Sequence, residues 1–323
     1  MDIVAILIPC LNEEKTVGKV VADFRRELPR ADIYVFDNGS DDTTAQIAER
    51  AGARVYKVPA RGKGNVVRAM FEKVSADYFV MVDGDDTYPA DSVSALLDPV
   101  VSGRCDMCVG DRRAEGESDP FPKFHRFGNY LVTRIVNLAF RSRIKDVFSG
   151  YRAFNKAIVD ELPLLSKGFE VEAEMTLQAL DKNFVIHEIE VPYRSRPSGS
   201  FSKLKTYFDG MLVLKTIISI IKDYKPLYFF SIVSGMAFLL SVLLGSIVIR
   251  EFLLTQKVHH PSTAVLASAL MVIALLSFVA GLILDSTKRH FSENRALIKQ
   301  QFNSLRHQVE PSHDSVSRFK QAP

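Results

Sequence analysis

From residue 1 to about residue 200, short apolar runs alternate with amphipathic stretches. The runs cover residues 3–8, 33–36, 54–58 and 78–82, and each predicts a strand. Between and after them, residues 13–28, 42–51, 63–74 and 91–101 carry helical patterns. Strands and helices alternating at this spacing predict an α/β fold, a mostly parallel sheet with helices on both faces. In such a sheet, ligands bind beyond the carboxyl ends of the strands. The polar motifs taken up below all fall at those ends.

The pattern then changes. Residues 227–249 and 264–284 contain no Asp, Glu, Lys or Arg. As helices, each stretch is long enough to cross a bilayer core of roughly 30 Å. The competing reading is two buried helices of a soluble protein. A short linker, 250–263, makes the pair a hairpin with both ends on one side. Lys203, Lys205, Lys215, Lys222 and Lys225 precede the first stretch, and Lys288, Arg289, Arg295 and Lys299 follow the second. The linker carries only Arg250 and Lys257, so both ends are expected in the cytoplasm. Ala237, Ser241 and Gly245 recur every four positions and would let the helices pack closely.

Four segments follow: a catalytic domain at 1–203, juxtamembrane amphipathic helices at 204–226, a transmembrane hairpin at 227–285, and a C-terminal helix with a disordered tail at 286–323. Residues 205–222 and 121–145 are basic and amphipathic, which suits an anionic membrane surface. For 121–145 the alternative is a solvated helix packed on the sheet.

Composition adds little and excludes some things. The net charge of +3 gives no case for nucleic acid. Cys10, Cys105 and Cys108 form no disulfide framework. The CxxC of Cys105 and Cys108 has no second pair for zinc, so a reduced compartment is expected. Residues 3–8 are too short for a signal-peptide core and lack a basic start and a cleavage site. The N-terminal domain is therefore expected in the cytoplasm, with the chain at the cytoplasmic (inner) membrane through two spans.

The chemistry-bearing motifs sit where strands end. Asp83-Gly84-Asp85-Asp86 follows the run 78–82, and no cation lies beside it in sequence. Clustered carboxylates repel each other unless they hold a cation. Oxygen ligands of this kind suit Mg²⁺ or Mn²⁺ completed by substrate phosphates. An Asp-rich turn is the alternative. Asp37-Asn38-Gly39-Ser40-Asp41-Asp42 follows the run 33–36. Asp41 or Asp42 is explained by helix capping, whereas Asp37 is placed to accept from a nucleobase N–H or a ribose hydroxyl. Pro9-Cys10-Leu11-Asn12-Glu13 ends the first run. In Arg61-Gly62-Lys63-Gly64-Asn65, two glycines permit close backbone approach and two cations could meet a diphosphate. Neither the P-loop nor the dinucleotide fingerprint is present. Arg194-Ser195-Arg196-Pro197-Ser198-Gly199-Ser200-Phe201-Ser202-Lys203 has the make-up of a phosphate-binding loop just ahead of the first apolar stretch. A basic linker drawn to anionic headgroups is the alternative.

Six motifs in this order resemble the family 2 glycosyltransferases of the GT-A fold. The resemblance is greatest to the polyprenyl-phosphate glycosyltransferases, among them the dolichyl-phosphate mannose synthases, in the form with a C-terminal membrane hairpin. The matching residues are Ile8-Pro9-Cys10-Leu11-Asn12-Glu13, Asp37-Asn38-Gly39-Ser40, Gly62-Lys63-Gly64-Asn65, Asp83-Gly84-Asp85, Ser149-Gly150-Tyr151-Arg152 and the stretch from Arg196 to Lys203. The resemblance implies that Pro9, Leu11, Glu13, Asp37 and Lys63 contact the nucleotide-sugar. It makes Asp83 and Asp85 the DXD metal pair, with Asp85 the direct ligand. Arg112, Arg126, Arg194, Arg196 and Lys203 would engage the acceptor phosphate, and Asp85, Arg112, Arg126 and Arg196 would serve catalysis. It also implies an inverting transfer of a hexose or N-acetylhexosamine from a nucleotide-sugar to undecaprenyl or dolichyl phosphate, and it allows a homo-oligomer.

The motif Asp-Gly-Asp-Asp-Thr-Tyr-Pro departs from the Asp-Leu-Gln and Asp-Ala-Asp forms of other subgroups, which leaves the sugar and nucleotide open. UDP-sugars come first and GDP-mannose next. A processive synthase would need a QxxRW-type motif, and the chain has no Trp. A sugar nucleotidyltransferase would want a Gly-rich basic loop after the first strand. A non-catalytic scaffold of the same fold would be expected to lose the paired carboxylates.

Overall fold

The computed structural model describes residues 2–112, 123–194, 218–219 and 221–309. The chain forms two compact units, residues 1–224 and 225–323.

The first unit is built on one sheet in the order β3-β2-β1-β4-β6-β5-β7. Its strands are β1 (Val4–Cys10), β2 (Asp32–Asp37), β3 (Arg54–Lys57), β4 (Tyr78–Met81), β5 (Met107–Asp111), β6 (Arg152–Asn155) and β7 (Ile186–Glu190). β1 pairs in parallel with β2 and β4, β2 with β3, and β5 with β7. β6 alone is antiparallel, between β4 and β5. The sheet is therefore mostly parallel, as the alternation of runs predicts.

Two apolar layers sandwich it. Ile6, Ile8, Val35 and Val80 pack with α1 (Val17–Glu27), α2 (Thr44–Arg50) and α4 (Val93–Val101). Ala5, Leu7, Phe36 and Met81 pack with α3 (Lys63–Lys73), α6 (Lys156–Glu161) and α7 (Val171–Asp181). Successive strand residues serve opposite layers, so a strand covered on both faces reads as a continuous apolar run.

α1 starts at Val17, four residues later than its helical pattern suggests. Asn12 adopts a positive φ of 52°, its N–H bonds Ser40 Oγ, and the N–H of Glu13 bonds Thr44 Oγ1. These ties commit residues 11–16 to a turn across the end of β2. α5 (Lys123–Phe140) buries Val132, Thr133 and Val136 and exposes Tyr130 and Leu138. One face of it is thus packed on the unit, as the packed-helix reading of 121–145 has it.

The second unit holds α8 (Pro226–Thr255) and α9 (Pro261–Val309). Both are long and apolar enough to cross a membrane, and only 6% and 17% of their apolar windows is buried inside the protein. A core helix of a soluble protein would be mostly covered. Between them, Ser234 Oγ donates to the Ala274 carbonyl and Ser241 Oγ to that of Ala267, each at 2.7 Å. A Cβ on Gly281 would stand 2.8 Å from that of Phe230. Of the expected trio Ser241 makes such a contact, while a Cβ on Gly245 would meet Ala267 only at an ordinary 3.9 Å; Ser234 and Gly281 supply the other close approaches.

Candidate active site

The carboxyl edge of the sheet gathers the polar motifs. Cys10 pairs with Asp37, and Leu7 with Met81, so the segments after β1, β2 and β4 leave side by side. Because β6 runs the other way, its first residue, Arg152, lies beside Met81, and Ser149 and Gly150 enter at the same edge. β5 adds Asp111 and Arg112 there.

Asp37 is 4% exposed, and its Oδ1 accepts from the N–H and Oγ of Ser40. Asn12 Oδ1 accepts from the N–H of Asp41 at 2.8 Å. The loops after β1 and β2 are thereby stitched together around Asp37. Thr16 Oγ1 donates to the Gly84 carbonyl at 2.7 Å and lies 3.4 Å from Glu13 Oε2. The start of α1 therefore also grips the carboxylate turn.

In that turn Asp85 is 2% exposed, and its Oδ1 accepts from Thr87 N (3.2 Å) and Thr87 Oγ1 (2.6 Å). Asp86, at a positive φ of 58°, pairs with Lys19 at 2.7 Å. Lys63 Nζ lies 2.5 Å from Asp83 Oδ1 and 2.5 Å from Glu172 Oε1. Burial alone would lower the Lys63 pKa, but Asp83 and Glu172 outweigh it and hold the ammonium well above its ordinary range. Burial pushes the Glu172 carboxyl up, against Lys63. Glu172 Oε2 is buried with no hydrogen-bond partner among the described residues. On its other side Asp83 abuts Gly150, where a Cβ would stand 2.5 Å from Oδ2. Only a glycine leaves that carboxylate in place.

The cationic side begins with Arg112. Its Nε and Nη2 bind Asp146 Oδ2 and Oδ1 at 2.7 and 3.0 Å, a two-point pairing of planar groups. Burial alone would raise the Asp146 pKa, yet Arg112 holds it below the ordinary carboxylate range. The guanidinium lies 5.5 Å above the ring of Tyr193, which packs edge-on against Tyr88. Tyr88 Oη in turn accepts from the N–H of Gly150 at 2.9 Å. The N–H of Arg194 bonds the Thr87 carbonyl at 2.9 Å, so the Arg194 segment starts beside the carboxylate turn. Behind these, fully buried Arg152 donates to the carbonyls of Ser149 and Val147 and to Thr176 Oγ1, which fixes the turn that delivers Gly150.

No group of three His, Cys, Asp or Glu able to hold a metal occurs among the described residues. The donor set nonetheless fits a hard divalent cation. Asp83 and Asp85 are two carboxylates on one turn, and Mg²⁺-type sites need only one or two, with substrate phosphates and water completing the shell.

Residues 5–163 match the model of glycosyl transferase family 2. Glycosyltransferase AglJ of Haloferax volcanii is 31% identical over 285 residues, covering 88% of this chain and 93% of its own. The chain belongs to glycosyl transferase family 2. A dolichyl-phosphate hexose transferase of Haloferax volcanii is 30% identical over 220 residues, covering 68% of this chain and 94% of its own. Among solved structures, glucosyl-3-phosphoglycerate synthase of Mycobacterium tuberculosis, in complex with Mn²⁺, uridine diphosphate and phosphoglyceric acid, shares the fold. It superposes with a TM-score of 0.54 at 22% identity, over 69% of this chain and 78% of that one. This family 2 chain is thus a glycosyltransferase with a GT-A-like fold, and its relatives include polyprenyl-phosphate sugar transferases.

The carboxyl edge of the sheet brings together Pro9, Leu11, Glu13, Asp37, Lys63, Asp83, Asp85, Arg112 and the backbone of Arg194. Arg126 falls in α5, but its side chain lies outside the described residues, as do Arg196 and Lys203. So do most of 204–226 and the tail from residue 310. Two points correct the sequence reading. No cation is near the carboxylate turn in sequence, as read, but Lys63 and Lys19 reach it from distant segments, so a bound cation is not the only charge that can offset it. The glycine pair serves the protein's own chain: a Cβ on Gly62 or Gly64 would lie 2.1 Å from the carbonyl oxygen of Lys167 or Ser166. Gly64→Ala is therefore expected to push 166–168 away and cost about 1–3 kcal/mol. A lowered melting temperature together with a raised donor KM would show it.

Sequence reasoning missed Glu172, Asp146, Tyr88 and Tyr193. Glu172 sits in the first turn of α7, where an acidic residue is ordinary. Tyr88, immediately behind the carboxylate motif, was the one most open to detection.

Proposed function

We propose that this chain transfers a hexose or N-acetylhexosamine, carried by a UDP donor, to a polyprenyl phosphate, with inversion at the anomeric carbon. One juxtaposition supports it above all. Asp37, Asp83 and Asp85 stand at the same sheet edge as Arg112 and the start of the Arg194 segment. The carboxylates that would serve the donor thus share one edge with Arg112, itself paired to Asp146, and with the backbone of Arg194. The dolichyl-phosphate hexose transferase relative and the two long apolar helices agree with a lipid acceptor.

Pro9, Leu11 and Glu13 line the nucleoside pocket, and Asp37 accepts from the base or ribose. Asp85, with Asp83, would hold Mg²⁺ or Mn²⁺, which supplies charge neutralisation at the donor diphosphate. Arg112, Arg126, Arg194, Arg196 and Lys203 orient the acceptor phosphate. One of its oxygens forms a bond to the anomeric carbon from the face opposite the diphosphate. The bond from that carbon to the diphosphate oxygen breaks, and the nucleotide diphosphate departs with the electron pair. A phosphate is already ionised near neutral pH, so no general base is required. Alignment and charge neutralisation then carry most of the rate. Residues 1–203 form the catalytic domain and 227–285 a membrane hairpin preceded by juxtamembrane helices at 204–226. Both chain ends lie in the cytoplasm.

Nucleotide release tests this reading. With UDP- and GDP-sugars offered in turn, one donor is expected to give nucleotide diphosphate only when a polyprenyl phosphate is added. Release that ignores the lipid, or occurs with no donor, would contradict it.

A further inference from the structure

Glu172 is a buried carboxylate for which the transfer reaction above has no use. It is 3% exposed and lies at the start of α7, behind the donor side of the site. Its Oε1 holds Lys63 at 2.5 Å, and Lys63 holds Asp83 at the same distance. Asp83 has little room to turn away, because Gly150 backs its other oxygen. One ammonium is therefore divided between two carboxylates, one of them a ligand of the proposed cation. Three formal charges leave this group at net −1.

The consequence is electrostatic. A lysine fully committed to Asp83 would compete with a divalent cation for the same carboxylate. A second carboxylate draws part of the ammonium's charge away and keeps the locality negative. We propose that Glu172 is a positioning residue that acts through Lys63 to keep Asp83 available to a divalent cation. It touches neither substrate nor cation. This rests on the divalent-cation reading of the site. It also accounts for a buried carboxylate in α7 whose Oε2 has no hydrogen-bond partner among the described residues, a costly arrangement unless the charge is used.

The experiment is a Mn²⁺ titration of the full-length protein without donor sugar, followed by the electron paramagnetic resonance signal of the free ion. Metal-free binding of UDP is measured in parallel. Glu172→Gln keeps the shape and removes the charge, so Lys63 falls wholly to Asp83. Its Mn²⁺ Kd is expected to rise about ten- to a hundredfold, the size of one nearby charge at intermediate dielectric. Metal-free UDP should bind no more weakly than to the wild type, since the pocket has become more positive. Glu172→Asp, which draws the carboxylate back, is expected between the two.

A merely structural Glu172 would weaken both ligands together and lower the melting temperature, which overturns the proposal. An unchanged Mn²⁺ Kd in folded Glu172→Gln also overturns it. Should that variant not fold, Glu172→Asp decides: a raised Mn²⁺ Kd with intact UDP binding supports the proposal, and a wild-type value overturns it. A wild-type protein that binds no Mn²⁺, with or without UDP, would instead overturn the cation reading itself and this inference with it.

Discussion

Asp85→Ala is expected to lower sugar transfer by about a thousandfold or more, in line with the loss of a key electrostatic contact at a reacting centre. The fold should survive. Asp85 holds its own turn through Thr87, while Thr16 and Lys19 grip the same turn independently at Gly84 and Asp86. Circular dichroism and melting temperature then serve as the control for folding. Asp85→Asn retains an acceptor for Thr87 and loses only the charge, so it should be nearly as inactive and even better folded. Full activity in a folded Asp85→Ala protein would remove Asp85 from the reaction.

Arg112→Leu is the second large effect, and it acts on stability as well as activity. It leaves the Asp146 carboxylate buried without its guanidinium, which costs about 3–5 kcal/mol. The pH dependence gives it a signature. In the wild type Asp146 titrates below the ordinary carboxylate range. Its pairing therefore stabilises the fold above that range, and the contribution is lost as pH falls through the folded value. In Arg112→Leu the unpaired Asp146 is expected to shift upward by burial. The gap between wild type and variant in denaturant unfolding should thus be widest near neutral pH and shrink in acid. A gap that stays constant with pH would mean that the cost is lost packing, not lost charge.

Much of the architecture was legible because it follows from local rules. β1, β2 and β4 are buried on both faces, so they appear as unbroken apolar runs with polar motifs at their carboxyl ends. β6 hides because it is four residues long, opens on a buried Arg152 and runs against its neighbours. The late start of α1 is not legible in its own sequence, because the bonds that hold residues 11–16 in a turn come from Ser40 and from Thr44 at the start of α2.

The candidate site follows the same division. Asp37, Asp83 and Asp85 are marked by position, each at or just beyond the end of a strand. The partners that tune them are not. Lys63 reads as a phosphate ligand on its loop, yet it lies between Asp83 and Glu172, which only the folded chain brings together. Gly62 and Gly64 signal close backbone approach correctly, but not what approaches, which is the chain at 166–167. Arg112 reads as a cation for a phosphate, and its pairing with Asp146 joins the ends of segments that no spacing rule relates.

Mass spectrometry of the lipid product is the most direct test. The purified full-length chain, Mn²⁺ or Mg²⁺, undecaprenyl phosphate and the donor that supports nucleotide release are incubated, and the lipid fraction is analysed. The expected product is a polyprenyl phosphate heavier by one glycosyl group, with no formation in the presence of EDTA; NMR of the same product is expected to show an anomeric configuration opposite to that of the donor. Nucleotide diphosphate release without any glycolipid would contradict the account, because it would assign the basic side of the site to a different acceptor.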